Sequence, residues 1–248
     1  MLSLNILALA AVETLKISVP TIADAVVHRT NYRRCDVRLD AWSRRLLEQA
    51  ELGLRVQGRE HIQPGQSYVV MSNHQSLYDI PVVFQALGVP VRMIAKTELF
   101  RIPVMGRAML DSGFVELDRS NRRRALHSLK VAKQRILEDG LSIWIAPEGT
   151  RSKDGQLGQF KSGGFHLALE AGVPILPVTI DGSYLAHRSG AWQVQRGVTV
   201  GVEVHPPVLA AQFGRARINE LMNRVRASIS AGLPGAPVVL PNQQPLAS

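Results

Sequence analysis

Cysteine is almost missing from this chain. Cys35 is the single one in 248 residues, so no internal disulfide can form, which suits a reducing compartment. Aromatic residues make up only 5%, and they are not interleaved with basic residues in the manner that stacks bases, so no nucleic-acid partner is expected. The seven histidines are scattered, no metal-ligand spacing arises, and no metal is expected. There is no Walker loop, Gly155-Gln156-Leu157-Gly158 lacks the dinucleotide pattern, and no serine sits in a Gly-x-Ser-x-Gly elbow.

A long uncharged apolar run is missing as well. Met1–Val27 is largely apolar, but Glu13, Lys16, Pro20 and Asp24 interrupt it. Its charge-free stretch, Met1–Val12, falls short of the roughly 18–20 residues that a membrane span needs. No positive region precedes it, which speaks against a cleaved signal. The expectation is two short helices lying in a membrane interface, broken near Pro20.

What is present is folded and basic. Hydrophobic residues reach 46%, charged residues 20%, and the formal charge is +9. That surplus points to an anionic membrane surface or to phosphate groups. Three regions are expected: an interfacial helical segment over residues 1–35, an α/β domain over 36–231, and a Pro-rich, polar, disordered tail over 232–248.

Within the central region, short apolar runs alternate with helical patterns. Leu54–Gln57, Tyr68–Met71, Val91–Ala95, Gly113–Leu117, Leu141–Ala146, Ile175–Ile180 and Val198–Val204 read as strands. Asp40–Ala50, Leu77–Leu87, Asn121–Asp139 and Ser162–Ala171 read as helices, with Gly140 and Gly172 as stops for the last two. The fold class is α/β: a sheet flanked by helices.

Four blocks carry chemistry. The first is Asn73-His74-Gln75-Ser76-Leu77-Tyr78-Asp79, directly after a strand. In one continuous helix, residues five apart are rotated by about 500° and do not share a face. His74 and Asp79 can pair only with His74 in the loop and Asp79 in the first helical turn. The carboxylate then holds one ring nitrogen and leaves the other to act as a general base. Ser76 offers a competing nucleophile, but its expected role is to cap the helix beginning at Leu77. The second block is Gly113–Arg119, a strand followed by charge, and Arg122-Arg123-Arg124 comes next as a solvated face or a contact for anionic headgroups. The third, Pro147-Glu148-Gly149-Thr150-Arg151, combines a turn glycine with a phosphate-binding guanidinium and a hydroxyl. A carboxylate repels an anion, so Glu148 is expected to orient a donor. The fourth, Val173-Pro174-Ile175-Leu176-Pro177-Val178, reads as a rigid wall.

Taken in order, these blocks resemble the glycerolipid acyltransferase family over roughly Trp42 to Pro206, including Lys96-Thr97-Glu98-Leu99-Phe100, Pro103 and Gly106. The resemblance implies a mixed sheet of about seven strands wrapped by helices, behind a membrane-associated N-terminal helical motif. It implies His74 as general base with Asp79 as its partner, and Arg119, Glu148, Gly149, Thr150 and Arg151 as the acceptor's phosphate-binding region. Asn73, Lys96 and Pro177 would support them. The implied reaction moves an acyl group from acyl-CoA or acyl-carrier protein, with no cofactor, to the sn-2 hydroxyl of lysophosphatidic acid at the cytoplasmic face of a membrane. Glycerol-3-phosphate, a lyso-aminolipid or another lysophospholipid would use the same chemistry, and a non-catalytic lipid-binding module is the remaining alternative. The chain departs from the family pattern at Ala146, at Leu117 and at Arg107.

Overall fold

The computed structural model describes residues 2–29, 31–152, 155–188 and 193–234. Helix α1 (Leu2–Val26) and helix α2 (Tyr32–Gln49) come first, followed by β1 (Gly53–Gln57), β2 (Val69–Ser72), α3 (Asp79–Leu87), β3 (Val91–Lys96), α4 (Thr97–Phe100), α5 (Met105–Asp111) and β4 (Val115–Leu117). The chain continues through α6 (Arg122–Leu137), β5 (Ser142–Ile145), α7 (Gly163–Ala171), β6 (Ile175–Asp181), α8 (Ser183–Ala186), β7 (Thr199–Val204) and α9 (Ile218–Ala231).

The seven strands form one sheet in the order β1-β7-β6-β2-β5-β3-β4. From β6 to β4 every neighbouring pair is parallel. β7 runs antiparallel to β6, and β1 lies parallel to β7, which makes the sheet mixed. Side chains alternate between the two faces. Tyr68 and Val70 therefore join a core with Leu39, Leu47, Val82 and Val83 from α2 and α3, while Val69 and Met71 join another with Ala132, Phe165 and Val225 from α6, α7 and α9. Burial on both faces explains why the central strands β2, β5 and β6 read as nearly unbroken apolar runs, whereas β1 and β7 alternate.

The N-terminal expectation needs correction. α1 is a single helix of 25 residues with Pro20 inside it, and by length and composition its Asn5–Val26 part is long and apolar enough to cross a membrane. Proline removes one N–H from the helix ladder, but the helix runs on past it, and the Thr21 hydroxyl donates to the Ile17 carbonyl one turn back (2.7 Å). The charges do not break the helix because they are paired: Lys16 with Glu13 inside α1 (2.6 Å), and the acidic residues with α2. Glu13 pairs with Arg45 (2.8 Å) and Asp24 with Arg38 (2.7 Å), while Trp42 donates to Thr14 (3.1 Å). At about 100° per residue, Val12, Leu15, Val19 and Val26 lie opposite that polar stripe, and all four are exposed.

α2 runs through the boundary expected between residues 35 and 36 and ties the hairpin to the sheet. Asn31 caps it by accepting the Arg33 N–H (2.9 Å). Asp36 lies 2.7 Å from the guanidinium of Arg92, which is fully buried in β3. That guanidinium also donates to the Ser112 and Val91 carbonyls and lies over the Tyr32 and Phe114 rings. The tail expected to be disordered falls, from residue 235 onward, outside the described residues.

Asp36→Ala leaves the Arg92 charge buried without its counter-ion. It should cost about 2–3 kcal/mol, somewhat below the roughly 3–5 kcal/mol of a fully enclosed pair because Asp36 is partly open to solvent. Denaturant unfolding measures this, and Asp36→Ala/Arg92→Met should recover most of the loss.

Candidate active site

The five parallel strands end on the same side of the sheet, so the loops leaving β2, β3, β4, β5 and β6 form one rim, where open α/β sheets place their sites. The first sequence block leaves β2. Asn73 is buried, and its side chain pairs in two prongs with the backbone of Ile180 on β6: Nδ2 donates to the carbonyl (2.7 Å) and Oδ1 accepts the N–H (2.8 Å). The next residue, His74, points its ring at Asp79, the first residue of α3.

His74 Nδ1 lies 2.7 Å from Asp79 Oδ2. The same oxygen accepts the N–H groups of Gln75 (2.7 Å) and Ser76 (2.9 Å). Asp79 is fully buried, and its position at a helix N-terminus also favours negative charge. An ionised carboxylate can only accept a hydrogen bond, so His74 Nδ1 carries the hydrogen and donates it to Oδ2, and Nε2 presents a lone pair. The His74 side chain keeps 19% exposure. Trp144 of β5 packs edge-on against its ring at 5.8 Å and is itself fixed by donating to Ser72 Oγ (2.9 Å).

Ser76 differs from expectation. The helix begins at Asp79, and no side chain caps it from position 76. Ser76 Oγ donates to the His187 carbonyl (2.9 Å) and accepts the Tyr78 N–H (3.2 Å) within the turn. Its proton is thus committed away from His74, a poor arrangement for a nucleophile.

The third block leaves β5, the neighbour of β2. Glu148 is buried, and both its oxygens are occupied: Oε1 accepts the His74 N–H (3.0 Å) and Oε2 the Gly158 N–H (2.7 Å). Burial pushes its carboxyl above the ordinary carboxylate range, and the two N–H groups that it accepts offset only part of that rise. The geometry gives Glu148 an orienting position, facing backbone donors rather than the open rim.

Gly149 turns with φ at +73°, and a Cβ there would stand 3.1 Å from Lys161 Nζ. Arg119, at the end of β4, donates to the Gly149 carbonyl. The second and third blocks therefore meet, with the Arg119 and Lys161 cations around one turn. Thr150 is exposed and Arg151 half-buried on the next two residues, and the following Ser152 donates its N–H to the His74 carbonyl (2.7 Å). Arg151 forms no ion pair among the described residues. Lys96 is exposed at the end of β3, on the same rim.

Pro177 lies elsewhere. It sits in the middle of β6 opposite Met71, with its carbonyl accepting the His205 N–H (3.0 Å) just past the end of β7. A missing N–H is tolerated there because β7 has already ended. Arg122 and Arg123 are exposed, and Arg124 pairs with Asp118 (3.1 Å). No group of His, Cys, Asp or Glu suited to holding a metal ion occurs among the described residues.

Sequence reading missed three residues: Lys161, Gln75, whose side chain donates to the Gly155 carbonyl (3.0 Å), and Arg226 of α9. α9 itself left a readable signal, since Ile218, Leu221, Val225 and Ile229 repeat at helical spacing. The contacts of Lys161 and Arg226 join residues distant in sequence, and no local pattern encodes them.

Comparison with known proteins gives a consistent picture. The Acyltransferase family model matches residues 53–181. A 1-acyl-sn-glycerol-3-phosphate acyltransferase of Limnanthes douglasii is 33% identical over 195 residues, which are 79% of this chain and 66% of the relative. The protein of the same name from Escherichia coli K12 is 32% identical over 178 residues, 71% of each chain. The chain spans about half to two thirds of the length of the plant relatives it matches. The crystal structure of the 1-acyl-sn-glycerophosphate (LPA) acyltransferase PlsC from Thermotoga maritima superposes with a TM-score of 0.75 at 27% identity, covering 91% of this chain and 93% of that one. With the family model covering more than half of its length and the PlsC fold matched almost end to end, this chain belongs to the acyltransferase family.

Proposed function

We propose that this protein transfers a fatty acyl group from a thioester, acyl-CoA or acyl-carrier protein, to the sn-2 hydroxyl of lysophosphatidic acid, giving phosphatidic acid. The observation that carries this reading is the bond from His74 Nδ1 to the buried Asp79 carboxylate, which leaves Nε2 free at the rim. Relatives bearing the name 1-acyl-sn-glycerol-3-phosphate acyltransferase support the choice of acceptor.

In the proposed step, the acceptor hydroxyl lies within hydrogen-bond reach of His74 Nε2. The imidazole takes its proton as the oxygen attacks the thioester carbonyl carbon. Asp79 stabilises the resulting imidazolium. When the tetrahedral adduct collapses, the C–S bond breaks, the new ester remains on the lipid, and the imidazolium proton goes to the departing thiolate. No acyl group passes through the protein, in keeping with the committed hydroxyl of Ser76.

Arg151 and Arg119, with Lys161 beside them, supply the positive charge for the acceptor's phosphate, and Gly149 and Thr150 shape the turn that presents it. Lys96 adds charge from the neighbouring strand end. An acceptor without phosphate would leave these cations without a counter-charge. The outer face of α1 would enter the membrane interface and bring the rim to its lipid substrate. The cytoplasmic face is the proposed location, and exposed Arg122 and Arg123 suit anionic headgroups there. The assigned regions are the helical hairpin for docking and the α/β domain for chemistry.

Thiol release from acyl-CoA, measured with purified protein in detergent, should require lysophosphatidic acid. His74→Ala should lower kcat by roughly 100- to 10,000-fold, and Asp79→Asn should also lower it by removing the group that fixes the tautomer. Release that proceeds unchanged in His74→Ala would refute the assignment. Arg151→Ala should act mainly on binding, raising the acceptor KM by about tenfold or more through loss of a charge-assisted contact worth roughly 1.5–3 kcal/mol. An unchanged acceptor KM would remove Arg151 from the phosphate site.

A further inference from the structure

We infer that Arg226, on α9 and outside the stretch matched by the family model, is a positioning residue that holds the His74 loop in place through a strap of chain over residues 155–161. The inference rests on the reading of His74 as the general base.

The strap is unusual in how it is held. Between Ser152 and Ser162 the described residues contain no helix and no strand, so their backbone groups find partners elsewhere. Arg226 supplies two of these partners. Its Nη1 donates to the Gly158 carbonyl and its Nη2 to the Leu157 carbonyl (2.8 Å). A planar fork suits two consecutive carbonyls, and an ammonium group does not. The same guanidinium lies over the Phe160 ring at 5.2 Å. Arg226 is itself anchored, because its neighbour Val225 is fully buried along with Leu221 and Ile229 on the inner face of α9.

Gly158 is the hinge point of the chain of contacts. Its carbonyl takes Arg226, and its N–H goes to Glu148 Oε2 (2.7 Å). The other Glu148 oxygen takes the His74 N–H (3.0 Å). Two residues therefore separate α9 from the backbone of the proposed base. The approach at Gly158 is close: a Cβ there would sit 2.9 Å from Glu148 Oε2. Gln75 adds a parallel tether by donating its side-chain N–H to the Gly155 carbonyl (3.0 Å).

Removing the fork frees the strap. Glu148 then loses a fixed donor to a buried oxygen, and its other oxygen no longer holds the His74 N–H in one position. A displacement near 1 Å at a reacting group can cost up to about 100-fold in rate, so a contact this indirect should appear mainly in kcat.

Two measurements on the full chain test this. Hydrogen–deuterium exchange in Arg226→Ala should rise in peptides covering 155–161 and also in those covering 73–76, with β3 unchanged. Arg215→Ala, which breaks an exposed ion pair to Glu170, should leave both regions as in the wild type. In the thiol-release assay, Arg226→Ala should lower kcat by roughly 10- to 100-fold with the acceptor KM within about twofold, and Arg226→Lys should fall between it and the wild type. Unchanged exchange over 73–76, equal changes in Arg215→Ala, or a wild-type kcat would each overturn the inference. A wild type that releases no thiol would count against the proposed reaction, and the exchange result would still decide the role of Arg226.

Discussion

A carboxylate shut off from water needs donors, and at Asp79 they all converge on one oxygen, while Oδ1 is buried without a partner. Oδ2 takes the His74 ring and the N–H groups of Gln75 and Ser76. These contacts set the loop, the start of α3 and the ring tautomer together. Without them the loop would have to find new partners for two N–H groups, and His74 would lose both its direction and its protonation pattern. The chemistry proposed for the rim follows from this one burial.

The sheet supplies the second constraint. Parallel pairing of β2 with β5 places residues 74 and 148 side by side, although they are 74 positions apart in sequence. Glu148 converts that proximity into a bond by bridging the His74 and Gly158 backbones. β4 lies two strands beyond β5 in the same direction, and Arg119 reaches back to Gly149 from its end. The orienting groups and the cations thus come from separate strand ends, and a parallel sheet is the arrangement that gathers them on one side.

Much of this was legible in the sequence, because local patterns carried it. The seven candidate runs correspond to the seven strands, and burial of both faces kept the central ones continuous. The five-residue interval from His74 to Asp79 demanded a loop followed by a helix start, which is what forms. Elements failed to be legible where a distant partner decided the outcome. Pro20 and the charges of α1 read as breaks, yet α2 pairs with Glu13 and Asp24, Lys16 pairs with Glu13, and one long helix forms. Ser76 read as a cap, but Asp79 claims the loop's N–H groups first. Glu148 could be read as an orienting group, while its two partners, one of them in a segment without regular structure, could not. Lys161 and Arg226 reach the rim only through the tertiary fold.

The central claim is that His74 acts on the acceptor's own hydroxyl, so that the acyl group moves directly from thioester to lipid. The most direct test is a rapid-quench single turnover with labelled acyl-CoA, with and without lysophosphatidic acid, followed by mass analysis of the intact protein. The account predicts no thiol burst without acceptor and no acyl group on the chain at any time, with phosphatidic acid appearing in step with free thiol. A thiol burst in the absence of acceptor, accompanied by an acyl adduct on Ser76, would contradict it.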